Sequence, residues 1–192
     1  MTPQPLPLPI AIPVTPPAAA RAGAMGTLVP RLATPRCLLR APRLGDFDAF
    51  GEIGAADRDG HMGGPMGPEE AWADFARMCA TWLLRGHGAW AVEHGGETAG
   101  FVLIGTEPGD REHELGWLFL PAFRGRGLAT EAAAAARDHA WAALGLPSLV
   151  SYVAVGNAPS ERLAARLGAR PDGTADDGAV TVWRHPRPEG RA

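Results

Sequence analysis

From about residue 28 to residue 183, apolar side chains recur at regular spacings whose period changes along the chain. Residues 36–41 read as a first strand, stopped by Pro42. Leu44, Phe47, Phe50 and Ile53 then fall at helical spacing and predict a helix from Asp46 to about residue 56. The Gly-rich stretch 57–67 has no apolar period and reads as a loop. Pro68, Glu69 and Glu70 open a second helix, because proline is tolerated in the first turn and carboxylates suit the positive dipole end. Its buried stripe is expected to be Trp72, Phe75, Cys79, Trp82 and Leu83. Residues 88–94 and 98–105 read as strands joined by a Gly95-Gly96 turn, and 113–120 as a central strand. A helix over 127–144 is closed by Gly145 and Pro147. A strand over 149–155, a short helix over 158–167 and a last strand over 179–183 complete the pattern. This order predicts an α/β (α+β) domain, a mixed sheet with helices packed on it.

The first 27 residues break the pattern. Pro, Ala, Leu and Ile dominate, no Lys or Arg precedes Arg21, and prolines interrupt the apolar run. A secretory signal needs a basic start and an uninterrupted apolar core, and a membrane span needs more length. Residues 1–27 are therefore expected to form an extended, disordered tail, ahead of one domain over 28–185 and a short tail over 186–192. Met25, just before the patterned region, also fits a translation start.

Composition narrows the function. A formal net charge of −3 argues against a nucleic-acid partner. Cys37 and Cys79 are the only cysteines, which excludes a disulfide framework and fits a reducing cytosol. The six histidines form no H-x-x-x-H pair with an acidic partner, so no metal is expected. No G-x-S-x-G elbow is present.

The chemistry concentrates where the central strand runs through Pro121 into Arg124, Gly125, Arg126, Gly127, Leu128, Ala129 and Thr130. Strand, glycine turn and helix N-terminus together make an anion site: free N–H groups and the dipole's positive end point at one spot. A P-loop would need G-x-x-x-x-G-K-[ST], and this turn lacks the lysine and the spacing. A dinucleotide fingerprint would need a third glycine or alanine in register and an acidic residue ending the next strand, and neither is present.

Arg124-x-x-Gly127-x-Ala129 resembles motif A of the GNAT N-acetyltransferases. Glu114-Leu115-Gly116-Trp117 before it and Ala129-Thr130-Glu131-Ala132 after it resemble the branch containing the RimJ and RimL ribosomal-protein N-terminal acetyltransferases. So do Asn157-Ala158-Pro159-Ser160 with Arg166-Leu167-Gly168-Ala169, and the opening strand Thr34-Pro35-Arg36-Cys37-Leu38-Leu39-Arg40. The resemblance implies a GNAT fold, a mostly antiparallel sheet splayed at the cofactor site with helices on both faces. It implies acetyl transfer from acetyl-CoA to a primary amine, attacked directly in a ternary complex. The acceptor could be a protein N-terminus, a lysine or a small amine; no nucleic acid, membrane or metal is involved. The resemblance assigns the coenzyme A pyrophosphate to residues 124–130, and the pantetheine arm is expected to pair with free backbone groups of Trp117, Leu118, Phe119 and Leu120 if the next strand splays away. Asn157 would contact the cofactor or cap a helix, or both.

An α-amine of pKa near 8 is already about 10% neutral at pH 7, a lysine about 0.04%, so a base helps the first and is needed by the second. Glu114 is the expected base, with His113 facing the other side of the strand and Glu112 solvated. The N–H near Leu118 is the expected oxyanion donor. The family's leaving-group tyrosine falls at Ala164, so Ser160 or a water is expected to protonate the thiolate, and Tyr152 is expected in the core. The missing tyrosine also supports an alternative, a catalytically silent acyl-CoA-binding or regulatory domain. Trp72 or Trp82 is a candidate border of the acceptor cleft.

Overall fold

The computed structural model describes residues 11–57, 60, 61 and 63–188; the expected tails over 1–10 and 189–192 and part of the 57–67 loop lie outside them. The strands are β1 (Leu32–Ala33), β2 (Leu38–Arg40), β3 (Ala89–His94), β4 (Glu97–Gly105), β5 (Glu114–Phe119), β6 (Val150–Ala154), β7 (Arg170–Ala175) and β8 (Val180–Arg184). The helices are α1 (Pro16–Gly26), α2 (Phe47–Ala55), α3 (Pro68–Arg85), α4 (Leu128–Ala142) and α5 (Ala158–Arg166). One sheet runs β1-β2-β3-β4-β5-β6-β8-β7. Every neighbouring pair is antiparallel except β5 and β6. Helices cover both faces. Trp90, Val102 and Leu115 pack with Leu128, Ala132 and Ala136 of α4. Ala91 and Phe101, one residue out of phase with their neighbours, pack with Phe50 of α2 and Phe75 of α3 on the other face.

Elements α1, α3 and β7 differ from the sequence reading, as does the two-residue strand β1, which it left out. Residues 16–26 are helical, where an extended chain was expected: Pro16 and Pro17 fall in the first turn, and the alanines behind them are strong helix formers. None of the α1 side chains is buried. Leu83 is 67% exposed, because α3 turns Ala71, Phe75 and Met78 inward. Strand β7 escaped detection because Arg-Pro-Asp-Gly-Thr-Ala has no apolar alternation; it pairs only with β8 at the sheet's edge.

Candidate active site

The ladder between β5 and β6 stops almost as soon as it starts. Its register pairs only Glu114 with Val150, whose N–H donates to His113 O at 3.0 Å. Beyond that point the two strands part, as expected. On its other side β5 stays fully paired with β4. Leu120 N–H donates to Ala99 O, so by alternation the peptide groups of Gly116 and Leu118 also face β4. Those of Trp117 and Phe119 face the gap. This corrects the role expected for the Leu118 N–H, which the β4 ladder consumes; the donors available to an oxyanion or a pantetheine amide are Trp117 and Phe119. Leu120 is spent likewise, its N–H on Ala99 and its side chain on the α2–α3 core.

The glycine turn closes the far end of the gap. Gly125 and Gly127 have φ of 73° and 77°, left-handed values that favour glycine. Gly127 is the N-cap of α4, and the first intrahelical bond runs from Glu131 N–H to its carbonyl at 3.1 Å. The amides of Leu128, Ala129 and Thr130 therefore have no intrahelical acceptor and project from the helix end. Leu128 offers only that amide, since its side chain is buried. Arg124 Nε donates to Phe119 O at 2.9 Å, holding its guanidinium beside the turn. Arg126 is turned aside, 3.1 Å from His94 Nε2 and over the Phe123 ring. Its carbonyl accepts from Arg36 Nη1 at 2.9 Å, while Arg36 Nε reaches Glu131 Oε2 at 2.7 Å. Burial opposes ionisation of Glu131, but bonds from Thr34, the Arg36 N–H and the Arg36 guanidinium outweigh it and hold its carboxyl below the usual range. Arg36 thus pairs with the one acidic residue in the first turn of α4. Nothing in the spacing of Arg36 and Glu131 foretells that contact.

A single cleft of about 1740 Å³ runs from this turn through the gap to the opposite side of the sheet, where Asp57, His61 and Tyr152 line it. Glu114 lies on its wall beside the point where the strands part. Burial, then the charges of Asp110 and Glu107, push its carboxyl up to about 8; the Tyr152 N–H and Arg77 oppose this only in part. His113 points the other way and meets the His87 ring edge-on at 5.1 Å. Glu112 is not solvated as expected. It takes a bidentate contact from Arg184 at 2.7 Å, and that bond, with a further one from Ser148, holds its carboxyl down at about 2.

Asn157 Oδ1 accepts from Ser160 N–H at 3.2 Å, the helix-cap geometry, and both residues line the cleft. Trp117 Nε1 donates to Ser160 Oγ at 3.2 Å, leaving the hydroxyl proton free to be given elsewhere. Ala164 is fully buried and contributes no polar group. Tyr152 lines the cleft rather than the core. Trp72 packs on Phe47 and Trp82 on Trp90, so neither borders the cleft; Trp117 does. Among the described residues no group of His, Cys, Asp and Glu could hold a metal, and no helix is long and apolar enough to cross a membrane. Both cysteines are unpaired.

Residues 36–170 match the family model for an acetyltransferase (GNAT) domain. The chain belongs to the GNAT acetyltransferase family. GNAT members draw their acyl group from acetyl-CoA, which agrees with a site built from a glycine turn, free helix amides and an unzipped strand. An acetyltransferase from Agrobacterium tumefaciens shares 38% identity and a TM-score of 0.77, over 82% of this chain and 95% of that one. RimJ from Mycobacterium smegmatis, solved with a coenzyme A disulfide, shares 26% identity and a TM-score of 0.61, over 81% and 84%. The uncharacterized N-acetyltransferase YnaD of Bacillus subtilis is 31% identical over 65 residues, 34% of this chain and 38% of that protein. The GNAT fold and the likeness to the RimJ branch thus stand on the whole domain.

Proposed function

We propose that this GNAT domain, carried by residues 28–185, moves an acetyl group from acetyl-CoA to a primary amine by direct attack. The observation that carries the reading is the meeting of two paths in one cleft. The glycine turn and the gap open on one side, and Glu114 faces the other side at their junction. In this reading the amides of residues 125–130 hold the pyrophosphate and the Trp117 and Phe119 peptides hold the arm and the thioester carbonyl. The amine nitrogen forms its bond to the acetyl carbon as the carbon–sulfur bond breaks. Its proton goes to the Glu114 carboxylate, and the departing thiolate takes one from Ser160 or water. A thiol of pKa near 8.5 leaves with little help, so Ala164 at the tyrosine position is tolerable.

A carboxyl brought up to about 8 matches the pKa of an α-amine, so a protein N-terminus or an amino-acid-like amine is the acceptor class it suits best. The unpaired cysteines support a cytosolic setting. Thiol release from acetyl-CoA, measured against α-amines, lysine peptides and small polyamines, tests the reading. Release with α-amines above the rest is expected. Tight coenzyme A binding without release for any amine would favour the silent domain instead, the reading that Ala164 supports. Gly127→Val should abolish coenzyme A binding in a folded protein, and unchanged affinity would exclude the glycine turn as the pyrophosphate site.

A further inference from the structure

The point at which β5 and β6 part is built by side chains. After Val150 N–H bonds His113 O, a continuing parallel ladder would next place Tyr152 N–H on Leu115 O. Neither group is used that way. Leu115 O accepts the hydroxyl of Ser151 at 2.6 Å, and the Tyr152 N–H is turned to the Glu114 carboxyl, whose pKa it lowers. One side chain from each strand thus takes one end of the missing rung. Leaving either end bare and buried would cost about 1–3 kcal/mol, which would favour zipping the strands one rung further. That zipping would narrow the gap onto which the Trp117 peptide opens.

Ser151 is wholly buried and held from behind. His185 Nε2 lies 2.9 Å from its oxygen, and the His185 N–H donates to Leu149 O at 3.0 Å. Because Ser151 gives its own proton to Leu115, it must accept from His185. The imidazole proton therefore sits on Nε2 and Nδ1 is bare, in keeping with a buried Nδ1 that has no hydrogen-bond partner. Burial, then Arg137, push the ring's pKa down to about 4, so the neutral ring persists at ordinary pH.

We propose that Ser151, locked by His185, is a positioning residue that fixes where the sheet forks and thereby aims Glu114 into the cleft. Its functional meaning rests on the acetyltransferase reading above; its geometry does not. Glu114 lines the cleft, and the Tyr152 N–H is the backbone donor that lowers its pKa there. The charges around Glu114 are Asp110 and Glu107 from the loop after β4 and Arg77 from α3, so losing the Tyr152 donor would leave mostly repulsion.

The test uses the full chain with Ser151→Ala and Ser151→Thr, and with His185→Leu and His185→Gln, each checked for folding by thermal melting. The measurements are coenzyme A affinity by calorimetry and kcat for an amine substrate against pH. Ser151→Ala should weaken coenzyme A about tenfold and move the acid limb of kcat upward by about one pH unit, as Glu114 loses its donor. Ser151→Thr, which keeps the hydroxyl, should restore both. If the extra methyl prevents folding, the histidine pair decides: leucine should copy part of the alanine effect, and glutamine, which keeps an N–H donor, should not. A folded Ser151→Ala protein with normal affinity and an unmoved acid limb would overturn the proposal, as would a loss of melting temperature alone. If no amine releases thiol from the parent protein but Ser151→Ala still weakens coenzyme A, the fork stands and the catalytic reading fails.

Discussion

Asp46 is buried and Glu114 half-buried on the cleft wall, and the protein shifts the two carboxylates in opposite directions. Asp46 sits where β2 meets the turn into α2, 4% exposed, with donors on every side. Arg40 grips it with two bonds of 2.8 and 2.9 Å, Thr98 Oγ1 adds one at 2.7 Å and the Arg43 N–H one at 2.6 Å. Burial pushes its pKa up, but these partners more than offset that and hold it below the usual value. Glu114 has the Tyr152 N–H and two like charges, and rises to about 8. Burial raises both; Glu114 keeps that rise, and the donors around Asp46 reverse it. The number of donors converging on the oxygens decides between a structural ion and a proton acceptor poised near neutrality.

The largest test of the contrast removes the proposed proton acceptor. Glu114→Gln should lower turnover by roughly 10²–10⁴ while leaving coenzyme A affinity almost unchanged. The loss should shrink at high pH and be larger for a lysine than for an α-amine, because the amine itself then supplies less or more of the missing deprotonation. The same variant reads out in stability. Folding raises the Glu114 pKa from 4.5 to about 8, so between those values the folded chain holds a proton that the unfolded chain has lost. Stability from this group is therefore present at low pH and lost as pH rises through that window. The glutamine variant should melt progressively higher than the parent from pH 5 to pH 9, and a constant gap would show that Glu114 is an ordinary carboxylate.

The second test strips the donors from the paired carboxylate. Arg40→Ala leaves Asp46 buried without its main partner and should cost about 3–5 kcal/mol in urea unfolding, a fall in Tm of roughly 10 °C. A cost below about 1 kcal/mol would mean that Asp46 escapes by protonation or movement, and the contrast would collapse. The smallest effect is expected where nothing is buried at all. A chain beginning at Met25 removes most of α1, which contributes no buried side chain, and keeps Pro30, whose carbonyl accepts from Trp90 Nε1 at 2.8 Å. Its Tm and coenzyme A affinity should match the full chain within about 1 °C and twofold, as for surface changes generally. A larger loss would show that the helix docks on the domain.

Much of the glycine turn and helix start was legible because their determinants are local. Gly125 and Gly127 take left-handed angles, and the alanines of α4 propagate a helix from a defined start, all within one short stretch of chain. The hairpin over residues 88–105 was equally plain, since two apolar runs flank the Gly95-Gly96 turn. Tyr152 and β7 were not legible. The side on which Tyr152 emerges depends on where β6 leaves β5, and β7 holds its place by edge pairing without an apolar pattern.

The chain by itself therefore determined most elements of the domain, the glycine turn at the start of α4 and the residue type at each position of the candidate site. Those follow from spacing, backbone freedom and helix ends, which act over a few residues. Only the tertiary structure decided which peptide groups stay free, that Glu112 is consumed by Arg184 from 72 positions away, and that Ser151 takes the carbonyl of Leu115 from 36 positions away. It also decided that Glu114 is left with too few donors to remain an ordinary acid. Hydrogen-bond satisfaction and electrostatics act through space, so a carboxylate's role is set by what folding brings beside it.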